Sequence, residues 1–461
     1  MPEMLAGNSR TTTRLGTRVA LIAAVIGVIY GYDSGSIGGA LVVLKQQYQL
    51  STLWVSVITS IVVVGSLFGA IIGPRMANSL GRKHTMVVIT IGFALFAALS
   101  AVPWGIVWLT VVRLFLGVTI GLSTVVAPIF ISEFAQEHQR GKLGTSYQFF
   151  TSAGVVISLL VDWGLADSGS WELMLGLSAI PAVAVLAAII RFPDSPRWYA
   201  MRGRFEDALD TLRRIDPDVA EQRLADIRAD VAGGETGRFR EIFTRQYARA
   251  TLFVIGFGFF VQITGTNTIL YYSPLIFQQA GISSASNSIL VSAIVQVFSI
   301  VGVVLSMLVV DRWGRRRPLL LGGAGMIIGH AVMMIVFASG PSGAMGYVAV
   351  GAIGLFYVGF YFGIGSLIWV YCGEAFPAKL RSVGAAALLI TDFIANLIAT
   401  FAFPGMLDAL GGAWAFGVFM VLSVAAWIFM HRMAPETKHR TLEEIRDYWN
   451  NNGQWPSAVQ R

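Results

Sequence analysis

Charged residues, cysteine and clustered histidine are all scarce in this chain, and each scarcity excludes a class of protein. Only 13% of the 461 residues are charged and 55% are hydrophobic, whereas soluble globular domains carry about 25% charged residues. The single cysteine, Cys372, excludes an intrachain disulfide and a cysteine-based metal cluster. The five histidines are scattered without ligand spacing. The sequence therefore predicts a protein outside the soluble class, with no metal site and no resident cofactor.

Long apolar runs recur along the whole chain, and each is long enough to span a bilayer of ordinary thickness. We predict twelve spans, near residues 17–42, 54–77, 85–103, 105–132, 143–163, 171–192, 249–278, 287–310, 318–339, 344–372, 382–404 and 411–433. The fold class is therefore an all-α polytopic membrane protein, with twelve transmembrane helices in two six-helix bundles.

The predicted layout has five parts, because one long polar segment separates the two sets of six spans. They are a cytoplasmic arm (1–16), a first bundle (17–192), a cytoplasmic helical linker (193–248), a second bundle (249–434) and a cytoplasmic tail (435–461). Residues 205–215 and 219–231 of the linker are typical of short amphipathic helices. The linker is either a passive tether or a latch that touches both bundles, and we favour the latch.

Positive charge is distributed in a way that predicts orientation rather than nucleic-acid binding. Apart from Lys45 and Arg113, the basic residues fall in the N-terminal arm, alternate loops or the tail. By the positive-inside rule both termini are cytoplasmic, and the short loops favour the plasma (inner) membrane of a bacterium. No cleavage site follows the first apolar run, which we interpret as a span. The intervening loops hold a few acids: Asp162, Asp167, Glu172 and Asp408.

The two halves of the chain resemble each other at their basic loops. A Gly-Arg pair follows span 2 in the loop 73–84 and span 8 near residue 314. Glu133 after span 4 and Glu374 after span 10 are each followed seven residues later by an arginine. Parallel six-span repeats are typical of transporters whose halves rock around a central site. Chance similarity between basic loops is the alternative.

These loop charges also predict a gate on the cytoplasmic side. Arginines at span ends can pair with carboxylates and helix C-termini across the seam between the halves. Such pairs would hold the cytoplasmic side closed and break when it opens, although plain topology determinants would explain some of the arginines. The predicted gate residues are Glu133, Arg140, Asp311, Arg312, Arg315, Glu374 and Arg381.

Asp33 is the most unusual residue of the first span. It is the one carboxylate in residues 27–39, a stretch that also holds five glycines. An ionisable group at membrane depth usually marks a transport path, a proton relay or a buried pair. The sequence therefore predicts a functional role or a buried partner for Asp33.

Five local signatures resemble one known family. They are RLFLG (113–117) leading to PIFISEFAQEHQRGKLG (128–144), FPDSPRWY (192–199), QITGTNTILYYSPLIF (262–277), VVDRWGRR (309–316) and PETKHRTLEEI (435–445). Together they resemble the sugar porter branch of the major facilitator superfamily. The resemblance implies a secondary transporter of a sugar or polyol, coupled to the proton and working as a monomer by alternating access.

The resemblance also implies a proton-coupling pair, Asp33 and Arg113. Depth supports the pairing independently, because Asp33 lies roughly 22 Å from the cytoplasmic end of its span at 1.5 Å per residue. Arg113 lies roughly 12 Å below the outer end of span 4 on the same count, and the apolar core is about 30 Å thick. Protonation of Asp33 would release Arg113. A static salt bridge that only fixes packing is the alternative.

Substrate contacts are implied by the same resemblance, with departures. Asp392 and Phe393 replace the family's Gln–Trp pair in span 11, and Ser366 replaces a proline in span 10. Asp392 is either a packed residue bonded to Thr391 or Asn396, or a hydroxyl acceptor, second proton site or counter-charge. The predicted substrate residues are Gln148, Gln262, Asn267, Trp369, Asp392, Phe393 and Asn396.

No bond-making constellation occurs in the sequence, so we predict a transporter and not an enzyme. Three alternatives to proton symport remain at this point. A facilitator would keep the Asp33–Arg113 pair as structure, and a carrier of organic cations would use Asp392 as counter-ion. A non-transporting sensor of the same fold would bind solute without flux.

Overall fold

The computed structural model describes residues 14–134, 140–232, 237–340, 342–438, 440–451 and 453–455. Regular structure within these ranges is helical throughout, so the predicted all-α fold is confirmed. Most of the predicted N-terminal arm lies outside the described residues. For clarity, the side that carries the loops after odd-numbered spans is called outer, following the predicted orientation, and the other side is called cytoplasmic.

The twelve predicted spans are present, and several are longer than their apolar runs. Eleven apolar helical stretches are long enough to cross a membrane, and the last covers two spans because Gly411, with φ 77°, interrupts the helix Ala378–Met433. The spans are Arg14–Gln47, Thr52–Leu80, Arg82–Ser100, Ile106–Phe134, Arg140–Leu165, Trp171–Gly176 with Ala179–Ile189, Ala248–Ile263 with Thr266–Gln279, Ala285–Trp313, Arg316–Ala338, Gly343–Phe362 with Ile364–Ala375, and the two parts of Ala378–Met433.

Spans 7 and 10 are broken near the middle of the membrane, where the sequence predicts continuous helices. Gly265 adopts φ +93° between the two parts of span 7, a backbone conformation that suits glycine. The carbonyl of Thr264 beside the break lies 3.1 Å from Nε2 of buried His330. Irregular backbone at this depth is tolerated where protein groups satisfy it. Broken helices at mid-membrane are typical of transporter binding sites.

Span 1 packs against span 5 through glycines. A Cβ built on Gly31 would lie 1.9 Å from the carbonyl oxygen of Thr151, and one on Gly35 would lie 2.1 Å from Oγ of Ser158. Small residues on a helix face let two membrane helices approach closely. The glycines that carry this contact are Gly27, Gly31, Gly35 and Gly39.

The two halves meet on the outer side and near the middle. The hydroxyl of Thr52 donates a hydrogen bond to Asp408 where spans 2 and 11 approach the outer surface. Deeper in the membrane, Val63 of span 2 packs with Leu389 and Phe393 of span 11. One hydrophobic core also joins the outer parts of spans 1 and 5 to spans 7 and 8. The seam is therefore closed on the outer side.

Within its described residues, the linker forms the three α-helices Pro196–Met201, Phe205–Ile215 and Ala220–Ala232 and the short 3₁₀ helices Pro217–Val219 and Phe239–Phe243. The predicted helix 205–215 is confirmed, and the second is displaced by one residue from the predicted 219–231. Indole Nε1 of Trp198 donates to the carbonyl of Asn78 in the first half at 3.1 Å. The amide of Gly237 donates to the carbonyl of Lys379 in the second half at 3.0 Å. The linker thus contacts both halves.

Candidate functional site

The two charges predicted to pair lie together in the first half. Nη1 of Arg113 is 3.7 Å from Oδ1 of Asp33, and the side chains are 2% and 5% exposed. Nε of Arg113 donates to the carbonyl of Ile58 at 3.3 Å. Nη1 makes no hydrogen bond within the described residues. The ion pair is therefore buried, but it lacks the direct hydrogen bond that would tighten it.

This geometry makes the pair sensitive to a proton. Two charges buried at this distance attract strongly in a low dielectric, and the attraction offsets part of the cost of removing them from water. When Asp33 binds a proton, the attraction ends while the bond from Arg113 to Ile58 remains available. The pair can thus act as a proton-dependent contact between spans 1 and 4.

A small cavity opens directly beside the pair. Its volume is about 10 Å³, enough for about one water molecule. Asp33 and Arg113 line it from the first half, and Tyr271, Phe393 and Asn396 line it from the second. The structure therefore brings the predicted proton pair and two of the predicted substrate residues to one place. Tyr271 belongs to the segment 262–277 but was not among the predicted site residues.

Asp392 has a partner on span 7. Nε2 of Gln262 donates to Oδ2 of Asp392 at 3.3 Å, and Oε1 of Gln262 has no hydrogen-bond partner within the described residues. Thr391 donates instead to the carbonyl of Ala387, and Asn396 accepts from Thr400. Among the described residues, the hydrogen-bond partner of Asp392 is therefore Gln262, and the role of Asp392 stays a prediction.

The remaining predicted substrate residues do not reach the cavity beside Asp33. Gln148 on span 5 and Asn267 on span 7 are half-buried. Trp369 lies on the cytoplasmic half of span 10 and is 45% exposed. The predicted substrate set is thus only partly assembled in this conformation.

Two acidic side chains on the cytoplasmic side perform the same task in the two halves. Asp194 accepts hydrogen bonds from the amides of Arg82 and Lys83, at 2.9 and 3.1 Å, at the start of span 3. Glu436 accepts from the amides of Arg315 and Arg316, at 3.0 and 3.1 Å, at the start of span 9. A carboxylate at a helix N-terminus satisfies free amides and the helix dipole. Each cap ties the end of a six-span half to its third helix.

Sequence reasoning missed this role of both acids. Ser195, the residue after Asp194, is the N-cap residue of Pro196–Met201. A signal was present, because the last span of each half is followed by a Pro-acid pair, Pro193–Asp194 and Pro435–Glu436.

The described contacts near the predicted gate residues lie within one half of the molecule and do not cross the seam. Nε of Arg82 lies 3.1 Å from Oε2 of Glu133, both in the first half. Asp311 and Arg312 are exposed. Oε2 of Glu374, Nε of Arg315 and Nε of Arg381 are buried, and none of these atoms has a hydrogen-bond partner within the described residues. The side chain of Arg140 lies outside the described residues. Over the described ranges, no ion pair connects these residues across the seam.

The two halves are closed on the outer side, and among the described residues no ion pair joins their predicted gate charges on the cytoplasmic side. A buried ion pair and a small cavity lie between them. This arrangement is typical of a membrane transporter whose two halves move against each other. The family model described as Sugar (and other) transporter matches residues 19–449. The chain belongs to this family, and the transporter class predicted from the sequence is confirmed.

Individual relatives cover almost the whole chain. The galactose-proton symporter of Escherichia coli (strain K12) is 33% identical over 434 residues, which is 93% of either chain. The probable metabolite transport protein CsbC of Bacillus subtilis (strain 168) is 31% identical over 433 residues, again 93% of either chain. The solved structure of the proton:xylose symporter XylE, bound to 6-bromo-6-deoxy-D-glucose, superposes with a TM-score of 0.80. That structure is 25% identical, and the match covers 95% of this chain and 100% of XylE.

Proposed function

We propose that the protein is a proton symporter for a sugar or polyol that works by alternating access. It acts as a monomer in the plasma (inner) membrane with both termini cytoplasmic, and the proton is its coupling ion. The observation that carries this proposal is the buried Asp33–Arg113 pair, 3.7 Å apart, on a cavity that Phe393 and Asn396 also line.

Coupling follows from the position of the pair between the halves. Spans 1 and 4 supply Asp33 and Arg113, while spans 7 and 11 supply Tyr271 and Asn396 on the facing wall. A proton on Asp33 frees Arg113 and changes the charge of the surface that the second half meets. A solute bound between the parted halves contacts the second half at the same place. Proton and solute thus act on one seam.

Solute recognition is assigned to the polar groups of spans 7 and 11. The carboxylate of Asp392 can accept hydrogen bonds from hydroxyl groups of the solute. Oε1 of Gln262, which has no hydrogen-bond partner within the described residues, is a further acceptor beside it. Phe393 supplies an aromatic ring on the cavity beside Asp33, and aromatic rings cover the apolar face of a sugar. The names of the relatives, a galactose-proton symporter and a proton:xylose symporter, support a sugar substrate.

One observation favours a second candidate function, a carrier of cationic solutes. The described partner of Asp392 is the neutral amide of Gln262. The carboxylate therefore has no cation of its own there and could serve as counter-ion to a positively charged solute.

Uptake into proteoliposomes tests the proposed function. Purified protein would be given a panel of hexoses, pentoses, polyols and organic cations, with and without an inside-alkaline pH gradient. We expect accumulation of at least one sugar or polyol above its outer concentration only when the gradient is present. Equilibration without accumulation would indicate a facilitator, and cation uptake lost in Asp392→Asn would favour the second candidate. Absence of flux for every panel member would contradict transport of these solutes.

A further inference from the structure

A second carboxylate, Asp162, is buried in the first half and has no part in the site described above. It lies within the helix Arg140–Leu165 of span 5 and is 0% exposed, so its predicted place among the outer loop acids is wrong. Neither carboxylate oxygen has a hydrogen-bond partner within the described residues. The hydroxyl of buried Tyr32 on span 1 is likewise without a partner there.

The carboxyl group of Asp162 packs against the backbone of Gly39 on span 1. A Cβ built on Gly39 of span 1 would lie 2.4 Å from its Oδ2. Arg113 on span 4 faces Asp33 instead, and Lys45 at the outer end of span 1 is exposed. Span 8 carries no titratable residue before its cytoplasmic end at Asp311. Apart from those at the cytoplasmic ends, the titratable and charged groups on the described elements packed around Asp162 are Tyr30, Tyr32, Asp33, Lys45, Tyr48, Arg113, Tyr147, Asp167 and Glu172.

An isolated carboxylate in such surroundings is unstable as an anion. A buried charge without a cation or a hydrogen-bond donor takes up a proton and becomes neutral. Among the described residues, no hydrogen-bond donor reaches the carboxylate of Asp162, whereas Asp33 faces a guanidinium. The two acids of the first half respond to protons for different reasons.

Asp162 also lies close to the closed outer seam between the two halves. Gly38, next to the glycine that it touches, packs against the carbonyl of Tyr271 in the second half. One helical turn beyond Asp162, the segment Ala166–Ser168 contacts span 8, also in the second half. Along span 1, Gly39 is six residues beyond Asp33, roughly 9 Å toward the outer side at 1.5 Å per residue. Asp162 therefore lies within about one helical turn of first-half residues that meet the second half on the closed outer side.

We propose that Asp162 is a second proton-binding site, which must be protonated before the outer side of the transporter can close. This inference rests on the proposed function, because it concerns a step of the same alternating-access cycle. When the halves part on the outer side, the carboxylate takes a proton from hydronium in the outer water. It returns that proton to the same water when the seam reopens. The proton at Asp162 thus permits closure and is not carried across the membrane.

Solute exchange in an Asp33→Asn background tests the proposal, because exchange there no longer depends on a proton at Asp33. We expect its rate to fall as the outer pH is raised at fixed inner pH, by up to about tenfold per pH unit, the limit set by one linked proton. With Asp162→Asn added, the amide imitates the neutral acid and the rate should become level with outer pH. The matched control, Asp167→Asn, removes an exposed outer acid and should leave the fall in place. An unchanged fall in the Asp162→Asn protein would overturn the proposal.

Infrared spectroscopy provides a readout that does not require flux. A protonated carboxyl gives a C=O stretching band that is absent from the carboxylate, and subtraction of the Asp162→Asn spectrum assigns it. Asp162→Ser is a second reference if the amide variant folds poorly. We expect the band at neutral pH and its loss as the pH is raised. A band missing at neutral pH, or one that survives every pH, would overturn the proposal. Because this measurement reads the proton directly, it separates a failure here from a failure of the symport proposal.

Discussion

Arg113 and Gly39 make the two buried acids of the first half chemically different. Asp33 faces a guanidinium at 3.7 Å, so the folded protein favours its anion more than apolar burial alone would. Asp162 packs against the backbone of Gly39, and no hydrogen bond to its carboxylate is formed within the described residues. Both side chains are almost fully buried, which shows that burial alone does not assign a role to an acid.

Replacement of Asp392 tests its assignment to the substrate. In Asp392→Asn the shape is kept and the charge is lost, and charge-assisted hydrogen bonds contribute about 1.5–3 kcal/mol. We expect KM for the transported sugar to rise by about tenfold or more, with a smaller change in the maximal rate. The neighbouring Thr391→Val is the control, since its hydroxyl donates to the carbonyl of Ala387. Equal KM values in all three proteins would remove Asp392 from the site.

Sequence reasoning reached Asp33 and Arg113 but not Asp162, for a physical reason. Depth along a span is one-dimensional, so counting from the two ends was enough to place Asp33 and Arg113 at a common level. The burial of Asp162 depends on which residue of another helix it faces, namely Gly39. Counting along one span does not contain that information.

At the scale of helices, the glycine contact between spans 1 and 5 sets how closely the core of the first half can pack. Gly31 admits no side chain, because its Cβ would lie 1.9 Å from a backbone oxygen of Thr151. Backbone cannot move aside as a flexible side chain can. The spans must therefore separate if Gly31 is enlarged.

Alanine substitution tests this contact by stability. Gly31→Ala should destabilise the protein by about 1–3 kcal/mol, the usual cost of overpacking, and lower its apparent Tm in detergent. Gly164→Ala on span 5 is the matched control, since nothing lies within 4 Å of its Cβ position. That change should be neutral or stabilising because alanine favours helix. Equal shifts in the two variants would contradict the packing described for span 1.

The number of spans was predictable, and their interruptions were not. Apolar composition averaged over a bilayer thickness is unaffected by a single turn of irregular backbone, so the breaks at Gly265 and Gly363 left no trace in the pattern. The caps of spans 3 and 9 were missed because Asp194 and Glu436 lie, along the sequence, more than a hundred residues from the amides whose hydrogen bonds they accept. The Pro-acid pair at the end of each half is the sequence signal for them.

At the scale of the whole molecule, the two halves touch on the outer side, and among the described residues no ion pair joins the predicted gate charges across the seam. The predicted gate pairs require the cytoplasmic ends to meet, and Glu133 here bonds Arg82 of its own half. A sequence specifies all the conformations of a cycle together, and pairs that need the cytoplasmic ends to meet belong to a conformation closed on that side. The gate assignment therefore stays a prediction.

Crosslinking across the outer seam tests whether that side must open during transport. Thr52→Cys with Asp408→Cys, in a Cys372→Ser background, places thiols on two residues that contact each other between the halves. A short bifunctional thiol reagent should abolish uptake by the double-cysteine protein, and a reducible reagent should allow recovery. The two single-cysteine proteins should keep their rates. Full uptake by a quantitatively crosslinked protein would contradict movement at this seam.

The central claim is that the Asp33–Arg113 pair couples the proton to solute movement. The most direct measurement compares unmodified protein with Asp33→Asn in proteoliposomes, for both gradient-driven accumulation and solute exchange. The account predicts that the variant loses accumulation under an inside-alkaline gradient while it still exchanges solute, because the amide removes the proton site and leaves the cavity. Proton-driven accumulation by Asp33→Asn equal to that of the unmodified protein would contradict it.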